Sequence, residues 1–278
     1  MFINGRKIAD DIAGEISGQI VNRALKIKLM VVQVGSDKAT ESFVRAKKKF
    51  AERVGIDIEF VQMSMDDSTN DLKEIVSDAG LNKNISGVIV QLPLPDTFET
   101  NEILDLIPPN KDPDILSSSA RALFVSGKSP ILPPVVGAIE QIVNDYDIDL
   151  FEADIAIVGY GKLVGEPVAT WLRNLGVEYT VVTSDNTDPG KILRSANLII
   201  SGVGKPGLIK SSMLSDDVVV IDAGTSESPD IPAGERSGLV GDCDPACYNK
   251  ARLITPVPGG VGPIAVAMLF RNLLILSS

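Results

Sequence analysis

The chain has no histidine among its 278 residues. That absence excludes Ser-His-Asp and Cys-His catalysis and His-ligated zinc, so any general acid or base must be Lys, Asp, Glu, Tyr or Cys. Cysteine is scarce too. Cys243 and Cys247 are the only two, and with no histidine to complete a ligand set they read as ordinary packed thiols; no metal is expected. Basic residues are in the minority, 26 Lys and Arg against 37 Asp and Glu for a net charge of −11. They are scattered, which argues against nucleic acid or an anionic membrane as a partner. The most apolar stretch, IAVAMLFRNLLILSS, is too short to span a bilayer and is broken by Arg271. MFINGRKIAD carries no signal-peptide pattern. A soluble cytoplasmic protein is expected, one that meets any anionic ligand with a local site.

With 44% hydrophobic residues the chain can fill real cores, and its length suggests two domains. The first third alternates strand-like and helix-like runs: KLMVVQVG, a helix from about Thr40, IDIEFVQM, a helix after Ser68, then SGVIVQLPLP. This pattern predicts βαβαβ with a parallel sheet. After PPNKDPD the texture loosens into SSSARALFVSGKSPILPP, a candidate crossing between domains. A second alternating series follows, with DIAIVG, a helix from Glu166, EYTVVTSD, NLIISGVG, VVVIDAG and GLVGD as its parts. The final helix, IAVAMLFRNLLIL, is hydrophobic on most of its surface and needs burial. The expected fold class is therefore α/β, an N-terminal α/β domain over 1–118 completed by 258–278, and a Rossmann-like dinucleotide-binding domain over 119–257.

In IAIVGYGKLVG the glycines Gly159, Gly161 and Gly165 depart from G-x-G-x-x-G by one extra residue before the last. The context is strand, glycine turn, helix, with Val168, Trp171, Leu172 and Leu175 on one helical stripe and Pro167 suited to the first turn. Free N–H groups and the helix dipole could hold a pyrophosphate there, or the turn could simply close a βα connection. Asp185 follows the next strand, twenty residues after Gly165, where an acidic residue commonly holds ribose hydroxyls. GVGKPG, beginning at Gly202, puts bare backbone at a further strand end. Three such ends at one crevice point to a nicotinamide dinucleotide.

The helix ATESFVRAKKKFAERVG places Phe43, Lys47, Phe50 and Val54 on one stripe, with Arg45, Lys48 and Lys49 opposite. Lys48 and Lys49 read as solvated surface. Lys47 either snorkels outward or sits at a partly desolvated pocket that lowers its pKa. Gln91, at the carboxyl end of GVIVQ, faces the ligand edge of the sheet or caps loose backbone. Asp112 and Asp114 in NKDPD sit in a turn where acids are usually solvated. Pro258, Gly259 and Gly260 bring backbone against a ligand or merely start the last helix, where Pro263 fits an N-terminal position.

Together, VIVQLPLP (88–95), LVGEP (163–167), VGKPG (203–207) and ITPVPGGVGP (254–263) carry a specific resemblance. The chain resembles the methylenetetrahydrofolate dehydrogenase/methenyltetrahydrofolate cyclohydrolase family over essentially its whole length. In that family the turn is G-R-S-x-x-V-G-x-P, so the long glycine spacing is normal for it. The resemblance implies homodimers in one-carbon metabolism and purine biosynthesis, with tetrahydrofolate derivatives bound in an interdomain cleft. It implies hydride transfer from methylenetetrahydrofolate to NADP, then attack of water on the methenyl carbon. Lys47 matches the catalytic lysine, Gln91 the glutamine that tunes it, and Asp114 the aspartate that hydrogen-bonds the pterin. Pro258, Gly259 and Gly260 match the loop beside the folate, and Gly159, Tyr160, Gly161 and Thr225 match positions that contact the cofactor.

Some positions depart from the family pattern. Phe43 stands where the family has Tyr; it can stack on the folate but cannot hydrogen-bond. Tyr160 and Gly161 replace Arg and Ser, and Thr183, Ser184 and Asp185 replace C-H-S near the adenosine ribose. A lost arginine and a gained carboxylate disfavour a 2′-phosphate, whereas the hydroxyls of Thr183 and Ser184 favour it; NADP is expected, with NAD possible. LPPV (132–135) stands for P-C-T-P. The rival readings are a shikimate-type dehydrogenase and a dinucleotide-binding module without turnover.

Overall fold

The computed structural model describes residues 1–35, 38–227 and 238–278. They divide into two compact units, one of Asp10–Pro134 with Val266–Ser278 and one of Met1–Ala9 with Val135–Ala265. Compactness thus divides the chain after 134 and 265, and assigns 1–9 to the second unit, where sequence suggested divisions after 118 and 257 and placed 1–9 in the first domain.

The first unit contains most of α1 (Gly5–Asn22), then β1 (Lys28–Val34), α2 (Lys38–Val54), β2 (Asp57–Met63), α3 (Thr69–Leu81), β3 (Gly87–Val90), α4 (Thr100–Leu104) and α5 (Ser118–Val125). The last of these lies in the segment expected to be loose. Its strands form a parallel sheet in the order β2-β1-β3. Every residue of β1 after Lys28 is buried, as a central parallel strand covered on both faces requires. One core joins Met30, Val32 and Val34 of β1 to Val88 and Val90 of β3 and to Leu72 and Val76 of α3. Ser68 starts α3 with a reciprocal capping box to Asp71. On α2, Val44, Phe50 and Val54 are buried, and the Phe50 ring stacks on Phe270 with centroids 5.1 Å apart. Opposite them Arg45 and Lys49 are exposed. Lys48, expected to be solvated, instead sets its ammonium 3.7 Å from the centroid of the Phe60 ring, because β2 carries that aromatic beside it.

The second unit contains α6 (Pro134–Asp145), β4 (Ile155–Val158), α7 (Gly165–Leu175), β5 (Thr180–Val182), α8 (Pro189–Ser195), β6 (Leu198–Ser201), β7 (Val219–Asp222), β8 (Ser226–Glu227), β9 (Leu239–Val240), β10 (Leu253–Ile254) and the start of α9 (Val261–Leu276). Five strands make a parallel sheet in the order β10-β7-β6-β4-β5. The GLVGD segment, expected to continue the alternating series, contributes β9 to a separate antiparallel pair with β8. After Val240 the chain bonds to Ile209, whose N–H donates to the Asp242 carbonyl at 2.9 Å, so the outer strand of the main sheet comes from β10. On α7, Val168, Trp171 and Leu172 are buried, but Leu175, at the last helical position, is 45% exposed. Gly176 closes the helix in the left-handed conformation at φ 75°.

Candidate active site

In the first unit, α2 and the end of β3 bring Lys47 to Gln91. The Gln91 N–H continues the ladder by donating to the Val32 carbonyl at 2.8 Å, which fixes the residue just beyond β3, and the side chain is only 8% exposed. Its amide nitrogen donates to the Leu92 carbonyl at 2.9 Å. The amide oxygen is therefore the free end, and it accepts from Lys47 Nζ at 2.7 Å. Of the two dispositions open to Lys47, the structure shows the inward one: the residue is half-buried. Burial pushes its pKa below the ordinary lysine range, and the Asp114 carboxylate pulls it back upward. Burial pushes the Asp114 carboxyl up, Lys47 opposes that, and Asp112 adds to it. A lysine with a lowered pKa, an amide acceptor and a nearby carboxyl form a set suited to moving a proton.

Asp112, expected to be solvated, is 1% exposed. Its Oδ2 accepts from the N–H groups of Leu116 at 3.0 Å and Ser117 at 2.8 Å and from the Ser117 hydroxyl at 2.7 Å. Those bonds fold the loop that carries Asp114, and Ile115 within it adopts a left-handed φ of 55°, a costly conformation for a β-branched residue. From α9, Asn272 donates to the Pro113 carbonyl at 2.9 Å and the Leu132 carbonyl at 2.8 Å. Asn272 carried no signal in the sequence, because a lone amide on an apolar helix has no pattern. The Phe43 side chain lies outside the described part of the structure.

In the second unit, β4 lies between β5 and β6, so the chain reverses direction across the sheet at β4 and opens a crevice at its carboxyl end. The residues named from sequence stand at neighbouring strand ends: Gly159, Tyr160 and Gly161 after β4, Thr183, Ser184 and Asp185 after β5, Gly202 after β6 and Thr225 after β7. The glycines differ in what they do. Gly159 has φ 83°, and a methyl group there would lie 2.7 Å from Val203 Cγ2. A methyl group on Gly165 would overlap the Gly159 carbonyl, and one on Gly202 would overlap Val164. Gly161 faces open space.

The first turn of α7 offers fewer free donors than expected. The Glu166 N–H donates to the Gly161 carbonyl at 3.0 Å and that of Val168 to the Val164 carbonyl at 3.0 Å, while Pro167 has none. What remains over the crevice is bare backbone at Gly161, a 50% exposed Tyr160 and the β5 turn. That turn is held by Asn186, whose Oδ1 accepts from the Thr183 N–H at 2.7 Å. Asp185 is exposed within it, three residues past the strand, with its N–H on the Thr183 hydroxyl oxygen at 3.3 Å. Pro258, Gly259 and Gly260 belong to this unit as well. The Gly260 N–H donates to the Pro256 carbonyl at 2.7 Å, and Gly259 has φ 109°. Cys243 and Cys247 are free and buried. Among the described residues no cluster of three or more His, Cys, Asp or Glu could hold a metal ion, and no helix is long and apolar enough to cross a membrane.

One unit carries a parallel sheet with a glycine turn at its switch point and the other an amide-held lysine, which defines a two-domain α/β protein of the dinucleotide-binding class. The family model for the tetrahydrofolate dehydrogenase/cyclohydrolase catalytic domain matches residues 3–114, and that for the NAD(P)-binding domain of the same enzymes matches residues 133–278. The bifunctional protein FolD of Campylobacter curvus is 32% identical over 275 residues, covering 98% of this chain and 93% of that one. The crystal structure of the bifunctional FolD dehydrogenase/cyclohydrolase from Campylobacter jejuni superposes with a TM-score of 0.92 at 30% identity, covering 100% of this chain and 98% of that one. That of the Trypanosoma brucei enzyme, complexed with NADP cofactor and inhibitor, gives 0.91 at 29% identity, covering 100% and 97%. The chain belongs to the tetrahydrofolate dehydrogenase/cyclohydrolase family.

Proposed function

We propose that this protein oxidises 5,10-methylenetetrahydrofolate to the methenyl form with NADP and then hydrolyses that product to 10-formyltetrahydrofolate. The observation that carries the reading is the bond from Lys47 Nζ to Gln91 Oε1, in a chain whose two units match the catalytic and NAD(P)-binding models of one family. The matches over both units favour this enzyme over a shikimate-type dehydrogenase and over a module without turnover.

NADP, when bound, accepts the hydride; the open backbone at Gly161, the exposed Tyr160 and Ser184 and the half-buried Thr183 fit a dinucleotide laid over the carboxyl edge of the sheet. In the hydrolytic step water adds to the methenyl carbon and loses a proton; the resulting hydroxyl then gives its remaining proton to N5 as the bond from that carbon to N5 opens, leaving a formyl group on N10. Lys47, whose pKa burial lowers, takes the proton that the water loses. Gln91 holds the amine in line, and Asp114 both binds the pterin and sets the basicity of Lys47. By the family match Phe43, Pro258, Gly259 and Gly260 are assigned to folate binding, and Gly159, Tyr160, Gly161, Gly165, Thr183, Ser184, Asp185, Gly202 and Thr225 to the cofactor face. The enzyme works as a cytoplasmic homodimer supplying formyl groups for purine biosynthesis. Two free buried cysteines suit a reducing compartment.

Following NADPH formation from methylenetetrahydrofolate, and separately the decay of methenyltetrahydrofolate without nucleotide, tests the reading. Absence of both activities overturns it.

A further inference from the structure

Asp242 is 0% exposed, and its carboxylate is spent on one short stretch of chain, the end of β6 and the turn after it. Oδ2 accepts from the Ser201 hydroxyl at 2.6 Å and the Val203 N–H at 2.7 Å; Oδ1 accepts from the Lys205 N–H at 2.7 Å. Two backbone N–H groups and a hydroxyl converging on one anion form the kind of nest that elsewhere receives phosphate. Here an internal carboxylate fills it, with charge-assisted bonds. The close approach is built in from the far side as well, since a methyl group on Gly224 would overlap that carboxylate.

The turn held in this way is the partner of the glycine turn. Val203, whose N–H Asp242 fixes, is the side chain that leaves no room for a methyl group on Gly159, and Gly202 leaves room for Val164 just before α7. Gly204, with φ 74°, has its carbonyl held by the Ser226 hydroxyl at 2.6 Å. A displacement of the β6 turn therefore moves Val203 against Gly159 and changes the surface over which the dinucleotide lies.

We infer that Asp242 is a positioning residue for the NADP site: it shapes the β6 turn, and through Val203 the β4 turn, without touching the cofactor itself. Because it consumes the N–H groups of Val203 and Lys205, that turn gives the dinucleotide a fitted surface and no phosphate donors from those two positions. The inference rests on the cofactor face proposed above. It sets Asp242 apart from Lys47, Gln91 and Asp114, because its loss should affect hydride transfer and leave hydrolysis, which needs no nucleotide, intact.

The test compares the parent protein with Asp242→Asn, Ser201→Ala and Gly159→Ala in steady-state dehydrogenation and in nucleotide-free hydrolysis. An asparagine keeps the shape but turns a donor toward an N–H, so Asp242→Asn should raise KM for NADP about tenfold or more, with KM for the folate and the hydrolysis rate within about twofold of the parent. An unchanged KM for NADP, or a parallel fall of both activities, overturns the inference. If Asp242→Asn does not fold, Ser201→Ala decides: a rise in KM for NADP of about threefold with unchanged hydrolysis supports the role, and no rise refutes it. Gly159→Ala separates the two levels. If it leaves KM for NADP unchanged, the cofactor face itself is misassigned; if it raises KM while Asp242→Asn does not, only the role of Asp242 falls.

Discussion

Lys47 and Gln91 meet at 2.7 Å, the ammonium donating to an amide oxygen whose own nitrogen is already committed to the Leu92 carbonyl. Rotating the Gln91 amide would break both bonds at once and set a donor against a donor, so the acceptor stays turned toward the lysine.

Lys47→Met should lower hydrolysis of methenyltetrahydrofolate by about a hundredfold or more, the usual scale for losing a positioned general base, while NADP affinity stays at the parental value. Lys48→Met should leave hydrolysis within about twofold, because its ammonium is engaged with the Phe60 ring. Single-turnover hydrolysis with fluorescence titration of NADP checks both. Equal losses in the two variants would remove Lys47 from its role.

The pH profile carries a sign. Burial lowers the Lys47 pKa and the Asp114 carboxylate raises it in part, so the fraction of neutral amine, and with it kcat/KM for hydrolysis, rises with pH through a point below the ordinary lysine value. Asp114→Asn removes the charge that favours the ammonium. The rising limb should therefore move to lower pH even though the substrate binds less well. A shift to higher pH, or none, would show that Asp114 does not act on Lys47.

Phe43→Tyr should raise hydrolysis relative to hydride transfer without lowering the thermal midpoint, by supplying the hydroxyl that the resemblance leads one to expect at this position. The ratio of the two steady-state rates is the measurement, and an unchanged or lower ratio counts against the idea.

Cofactor choice should respond to two exposed side chains. Asp185→Ser removes a carboxylate from the β5 turn proposed to face the 2′ position, and Tyr160→Arg adds a charged donor. Each should tighten NADP binding by about threefold to tenfold relative to NAD, less in high salt because both groups lie in solvent. Calorimetric titration with each nucleotide decides, and a parent that prefers NAD would reverse the cofactor assignment.

Features governed by neighbouring residues were legible in the sequence. The helix start after Ser68, the stripe of α2 and the strand–turn–helix context of Gly159 to Gly165 all follow from local periodicity and turn chemistry. The residues that escaped notice act over long separations. Asn272 reaches Pro113, 159 positions away, and Asp242 reaches Val203, 39 positions away; no local pattern announces such a bond. Asp112 was misjudged for the same reason, since its burial depends on how its loop folds back through Leu116 and Ser117. β10 was missed because two residues carry no alternation. The expected donors of α7 are partly spent inside the turn because the extra residue lets the Gly161 carbonyl reach the Glu166 N–H.

Of the three glycines that close the β4 turn, two are locked by their neighbours and one is not. Gly165 and Gly159 press on the Gly159 carbonyl and on Val203, whereas Gly161 borders open space. Alanine at Gly165 should cost about 1–3 kcal/mol in urea unfolding, and alanine at Gly161 less than about 0.5. Inheritance can therefore experiment at Gly161 at almost no risk to folding. A lineage changing its nucleotide preference has a neutral doorway there, and a library randomised at this one codon should return folded enzymes that differ in the coenzyme they choose.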